Sequence, residues 1–350
     1  MSERVTLPLV GGLTAVIALT LVFLGNPANM GFCIACFLRD TAGAMGMHSS
    51  SQLQYARPEV LGVVLGAFIL SLVKREFNPK GGSAPVTRFA LGFSMVIGAM
   101  IFLGCPLRVA LRIAGGDFNA IVGLFGFVVG IVAGIFFLNK GYTLRRTYDV
   151  NKTDGYLAPI AALVLLGVIV IYPSVLIFST EGPGSMHAPL WASLGAGLIM
   201  GGVGYSTRLC FVAGVRDSIL FREYSMLGAF VALIIVGILG NLALGNFHPG
   251  FTGQPFAHND GVWNFLSMML VGLCAVLLGG CPIRQVVLAG SGSSDSVVTV
   301  LGMITGAAVA QNFKITSSAA GVTANGKIAF VIALCLVIFI AVYNTYGKRK

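Results

Sequence analysis

Ten stretches of mainly apolar residues, each near the ~20 that a helix needs to cross the hydrocarbon of a bilayer, constrain this chain more than anything else in it. They fall at about 7–24, 58–74, 86–104, 118–138, 157–179, 189–205, 224–244, 262–280, 295–312 and 327–346. Only 10% of the 350 residues are charged and 56% are hydrophobic, whereas a soluble domain carries about a quarter charged residues. With no water in the bilayer core, each run must satisfy its own backbone, which a helix does. The expectation is an all-α polytopic membrane protein of one integral membrane domain. Glycine is abundant, at 47 residues, and small residues let membrane helices approach closely where apolar burial no longer drives association.

Four other stretches, about 31–46, 105–115, 208–221 and 281–290, suit a helix but are too short or too polar to span. They read as re-entrant half-helices, which persist at membrane depth only when protein or a water-filled cavity surrounds them. The segment Met1 to Pro8 lacks a cationic region followed by a small-residue cleavage site, so the first run is expected to remain as a helix.

Ten crossings put both chain ends on one side, and the distribution of lysine and arginine says which. With the ends in the cytoplasm, the inner side holds Arg4, Lys74, Arg75, Lys80, Arg88, Lys140, Arg145, Arg146, Lys152, Arg208, Arg216, Arg222, Arg284, Lys348, Arg349 and Lys350. The outer side holds Arg39, Arg57, Arg108, Arg112, Lys314 and Lys327. Sixteen against six favours cytoplasmic ends in a cell membrane. The net charge of +10 is therefore a topology signal. It is not a nucleic-acid footprint, because the basic residues sit in short loops and form no continuous face.

The chain also repeats itself. Gly31 to Asp40 aligns with Arg208 to Asp217, matching Cys33 with Cys210, Arg39 with Arg216 and Asp40 with Asp217 at an offset of 177. Gly104-Cys105-Pro106-Leu107-Arg108 aligns with Gly280-Cys281-Pro282-Ile283-Arg284 at an offset of 176, and Gly126 and Gly130 with Gly302 and Gly306. Two motifs in one register mark an internal repeat: a first copy over about 7–138 and a second over about 189–312. Each holds four spanning runs and two half-helices, with 157–179 as a linker helix and 327–346 as an extra C-terminal helix. The single linker crossing turns the second copy upside down, and inverted repeats with broken helices are a transporter architecture.

Proline in Gly-Cys-Pro suits the first helical position, which leaves Cys105 and Cys281 at the caps of half-helices. Their free N–H groups and positive dipole ends favour an anion beside the thiol. A cysteine in a membrane protein is often no more than a small buried hydrophobe, and Cys274 and Cys335, with no repeat partner, read that way. Cys33, Cys105, Cys210 and Cys281 recur at equivalent breaks and are the candidate pathway thiols. Cys36 completes a Cys-x-x-Cys with Cys33, a spacing shared with thiol oxidoreductases and metal sites. Its repeat counterpart is Ala213, and His48, His187, His248 and His258 show no ligand spacing, so no metal or cofactor is expected.

Arg108 and Arg284, just inside the half-helices, either add positive charge to the route or pair with Asp117 and Asp295 for structural reasons. Arg39 and Arg216 either attract the anion or form ion pairs with Asp40 and Asp217, since charge at such depth is paired or lines a path. The loops 180–188 and 245–261 read as ordinary outer connections. A thiol is a soft, weak donor that suits a polarisable sulfur or selenium atom better than phosphate or sulfate, and weak stations release as well as bind.

On these residues, and above all on the run Asn26-Pro27-Ala28-Asn29-Met30-Gly31-Phe32-Cys33-Ile34-Ala35-Cys36-Phe37-Leu38-Arg39-Asp40, the sequence resembles the YeeE/YedE family of membrane permeases, its YedE branch most closely. The resemblance implies uptake of thiosulfate or a related sulfur or selenium anion through a cysteine relay, with Cys105, Cys210 and Cys281 on the relay and Cys33 as the symmetry partner. The expected order is Cys105 from outside, then Cys33 and Cys210, then Cys281. A tenth spanning helix and the Cys33–Cys36 doublet depart from the simplest thiosulfate permease. The lipid bilayer is one partner, and a basic inner face is where a cytoplasmic sulfur-carrier protein would dock as another. The rival reading is a membrane thiol-disulfide oxidoreductase using Cys33 and Cys36.

Overall fold

The computed structural model describes residues 3–347. Fourteen α-helices run through them: α1 (Glu3–Phe23), α2 (Ile34–Ala44), α3 (Pro58–Val73), α4 (Pro85–Phe102), α5 (Pro106–Ala114), α6 (Phe118–Asn139), α7 (Lys152–Ile171), α8 (Leu190–Thr207), α9 (Phe211–Leu220), α10 (Ser225–Ala243), α11 (Gly261–Leu278), α12 (Pro282–Gly290), α13 (Ser294–Asn312) and α14 (Ala324–Tyr346). Strand is confined to β1 (Lys80–Gly81) paired antiparallel with β2 (Tyr148–Asp149). Ten of the helices correspond to the apolar runs, and the four shortest, α2, α5, α9 and α12, to the four half-helix stretches. Nine helical stretches among the described residues are long and apolar enough to cross a membrane, and α3, apolar but 16 residues long, is shorter than these. This is an all-α polytopic membrane protein.

One run is shorter than its apolar stretch implies. The linker helix α7 ends at Ile171 rather than near residue 179, because Pro173 disfavours helical geometry at Tyr172. The chain then turns through Pro173–Val175 into a surface loop.

The helices pack in reciprocal pairs. Helix α1 lies on α10 as α8 lies on α3, α6 on α11 as α13 on α4, and α5 on α10 as α12 on α3. Two copies, α1–α6 and α8–α13, exchanged about a two-fold axis give this pattern. The close approaches use the repeated glycines: a Cβ on Gly126 or Gly130 would meet the carbonyl oxygens of Phe265 or Met269 at 2.0 Å, and one on Gly302 or Gly306 those of Phe89 or Phe93 at 2.3 and 2.9 Å. The same contacts show α6 parallel to α11 and α4 parallel to α13, while Gly62 and Gly66 against Leu194 and Leu198 set α3 parallel to α8. Asn26, just past the end of α1, hydrogen-bonds Glu59 at the start of α3. Helices α1 and α3 are thus antiparallel, so α8 runs opposite to α1 and the second copy is inverted.

Both ends of the described chain lie on one face, here the termini face: Thr6 and Leu7 line a cavity with Ser206 and Thr207 at the end of α8, and Tyr343 and Asn344 lie beside Ala84 and Pro85 at the start of α4. Every basic residue assigned above to the inner side is on this face, except Lys348, Arg349 and Lys350, which lie outside the described residues.

Candidate functional site

All four half-helices begin immediately after a cysteine. Cys33, Cys105, Cys210 and Cys281 occupy the N-cap positions of α2, α5, α9 and α12, each with extended backbone (φ −142°, −89°, −157° and −73°). A cap residue leaves the helical region while the next N–H groups stay without intrahelical partners, so each thiol sits at the positive end of a short helix.

The thiols meet in two groups related by the repeat. Cys33 Sγ lies 3.7 Å from Cys105 Sγ, and Cys210 Sγ 3.8 Å from Cys281 Sγ. Cys36 adds a third sulfur to the first group, 3.0 Å from Cys33. All five are buried. The half-helices also touch crosswise, α2 with α12 and α5 with α9, so those of the two copies meet. Cys274 is buried inside α11, and Cys335 is exposed on α14, both away from these groups.

The arginines separate into two kinds. Arg39 pairs with Asp40 at 2.7 Å and Arg216 with Asp217 at 2.7 Å. Arg108 and Arg284 do not take the carboxylates weighed for them. Asp117 binds Arg112 at 2.6 Å and Asp295 binds Arg88 at 3.4 Å. Arg112 sits one helical turn beyond Arg108, where it reaches the Asp117 cap of α6. Arg108 instead donates to the carbonyls of Leu103, Asn29 (3.2 Å) and Phe256 (3.3 Å) and approaches Cys36 Sγ at 3.5 Å. Among the described residues neither Arg108 nor Arg284 has a carboxylate partner.

The two faces differ. On the termini face a cavity of about 680 Å³ opens, lined in part by Arg208, Cys210, Arg216, Asp217, Glu223 and Arg284. It reaches Cys210 and not Cys281, so Cys210, placed earlier than Cys281 by the sequence reading, is the thiol nearest that mouth. On the opposite face the loops are folded over the first group and are not the ordinary connections expected of them. Arg57, buried, ties Asp40 (2.8 Å) to the carbonyls of Pro183 (2.8 Å) and Met186 (3.1 Å) in the loop before α8. His258 Nε2 donates to Ile101 O at 2.9 Å while its Nδ1 accepts from Asp260 N at 3.3 Å, and His48 does the same with Arg39 O (3.0 Å) and Ser50 N (3.3 Å). These partners fix the neutral tautomer, and burial lowers both imidazoles below their ordinary value. Loop 245–261 thus reaches Arg108 beside Cys36, and loops 45–57 and 180–188 are tied to the C-terminal half of α2.

Arg57, Arg112, Arg208, His48 and His258 were not singled out by motif. Arg57 and His258 bind carbonyls more than a hundred residues away, while Arg112 and His48 bind partners five and nine residues away that no motif marks.

Broken helices meeting inside a bundle of inverted repeats, with a water-accessible cavity on one side and sealing loops on the other, define a membrane transporter. A family model described as sulphur transport matches residues 2–107 and 206–347. The chain belongs to this YeeE/YedE sulphur-transport family, and so to the transporters of sulfur compounds. No curated protein matches it.

Proposed function

We propose that the protein carries a small sulfur- or selenium-containing anion, a selenium compound or thiosulfate, across a bacterial inner membrane along its thiols. The observation that carries this reading is the recurrence of one arrangement in both copies: a thiol pair 3.7–3.8 Å apart at two half-helix caps, beside an arginine with no carboxylate. Soft S–H donors, helix ends and an uncompensated guanidinium together favour a polarisable anion and hold it weakly enough to let go. Cys105 and Cys33, with Arg108, receive the anion from the loop-covered face. It passes to Cys281 and Cys210, and leaves beside Arg284 through the open cavity. The excess of lysine and arginine on the termini face supports a cytoplasmic position for that mouth, where a sulfur-carrier protein would collect the product.

The test is uptake of labelled thiosulfate and selenite by cells producing the protein, Cys105→Ala or Cys281→Ala. Each variant is expected to lose most of the uptake; full uptake in both would end the relay. A second reading, a thiol-disulfide oxidoreductase, draws on the 3.0 Å between Cys33 and Cys36. It predicts that this pair cycles with a protein partner during turnover, whereas the relay works with every thiol reduced. Labelled-thiosulfate uptake by Cys36→Ala separates them, since the relay keeps its uptake without that thiol and the oxidoreductase reading predicts no thiosulfate uptake in either protein.

A further inference from the structure

We propose that Cys33 and Cys36 form a reversible disulfide that switches transport off: a redox modification site built into the relay. The inference rests on the transport reading above and adds to it a regulation of the same thiols.

Three observations converge on Cys36. Cys33 is the cap of α2 and Cys36 its third helical residue, so the Cys-x-x-Cys begins a helix with both thiols near the same positive end. That is the setting in which such pairs exchange electrons. Their sulfurs are 3.0 Å apart, nearer than the 3.7 Å and 3.8 Å of the Cys33–Cys105 and Cys210–Cys281 pairs, and forming the bond needs only about an ångström of closure toward the ~2.05 Å of a disulfide. Arg108 Nη1 is 3.5 Å from Cys36 Sγ, and with no carboxylate of its own it supplies the counter-charge for the thiolate that attacks. Packing does not account for the sulfur. The second copy places Ala213 at the equivalent position of α9 and keeps its thiol pair at 3.8 Å. One copy carries a relay pair, and the other carries the same pair plus a thiol poised to capture half of it.

The chemistry balances with a small two-electron oxidant such as a peroxide, which enters by the substrate's route because both sulfurs are fully buried. One thiolate attacks the peroxide oxygen, releasing hydroxide, which leaves as water on taking a proton, and becoming a sulfenic acid. The other thiol displaces water from it and forms the S–S bond. Two thiols lose two electrons and two protons, and one peroxide becomes two waters. The disulfide removes the S–H of Cys33, so Cys105 has no thiol to hand the anion to. A dithiol reductant restores it.

The protein in proteoliposomes is treated with hydrogen peroxide and then dithiothreitol. Labelled-thiosulfate uptake and the Cys33–Cys36 disulfide are followed in the same samples, the latter by mass spectrometry after alkylation of free thiols. Uptake should fall to the level of Cys33→Ala as the disulfide accumulates, and both should revert together. Cys36→Ala, compared with its own untreated sample, should keep its uptake after peroxide. A Cys33–Cys105 disulfide instead, a Cys33–Cys36 disulfide with uptake intact, or undiminished sensitivity in Cys36→Ala overturns the switch. So does a reduced Cys36→Ala that takes up nothing, since Cys36 would then belong to the relay. If the reduced parent protein takes up neither thiosulfate nor selenite, the transport reading is what fails, and the mass spectra alone report whether the pair oxidises.

Discussion

Asp40, Asp117 and Asp295 each face an arginine, while Glu59, the fourth buried carboxylate among the described residues, faces none. Its Oε1 accepts from Asn26 and Ser193, and its Oε2 has no partner. The two cases predict opposite outcomes. Asp40→Asn strips the shared counter-charge from buried Arg39 and Arg57 and should cost about 3–5 kcal/mol, read as a lower unfolding temperature in detergent. Glu59→Gln keeps an acceptor for both donors and removes a buried charge, so its unfolding temperature should hold or rise. Equal losses in both would show that pairing is not what makes Asp40 tolerable. At the first thiol group, Arg108→Gln removes the charge that the proposed route places beside the anion. A hydrogen bond to a charged group is worth about 1.5–3 kcal/mol, so half-saturation of uptake should move roughly tenfold to a hundredfold higher. No change would assign Arg108 to its carbonyl partners alone.

Glycine decides how the long helices pair. At Gly130 of α6 and Gly66 of α3 a Cβ would meet Met269 O at 2.0 Å and Leu198 O at 2.1 Å. Both contacts are backbone and cannot rotate away, so alanine at either position must push two helices apart, at about 1–3 kcal/mol. Gly167, inside α7, has nothing within 4 Å of such a Cβ, and there alanine should stabilise by up to about 1 kcal/mol. Thermal unfolding of Gly130→Ala, Gly66→Ala and Gly167→Ala would reveal this split, and a uniform shift would contradict it. The half-helices were legible for a related reason. Proline after Cys105 and Cys281 fixes where a helix starts, whereas Cys33 and Cys210, which no proline marks, are tied to each other by the offset of 177.

At the scale of the whole molecule the two faces are unequal: the cavity of about 680 Å³ reaches Cys210 from the termini face, while the pinned loops close the other. A membrane-impermeant thiol reagent applied to oriented vesicles should therefore modify Cys210 from the termini face and leave Cys33, Cys36 and Cys105 unmodified from either side. Labelling of Cys105 from the loop-covered face would mean that the loops stand open at rest. Local order and repetition were properties of the sequence. Apolar length marked the ten runs that form helices, proline the breaks at Cys105 and Cys281, and the repeat the four cap thiols, because each follows from residues close together or from a constant offset. Ion-pair partners and the ordering of the thiols were not fixed in this way. That Asp117 takes Arg112 rather than Arg108, that Phe256 and Pro183 offer carbonyls to arginines far away in the chain, and that Cys210 rather than Cys281 meets the cavity depend on how helices cross and where loops fold back. Those distances arise only when the two copies interlock, so only the tertiary structure decided which arginines lack a carboxylate partner and which face holds the cavity.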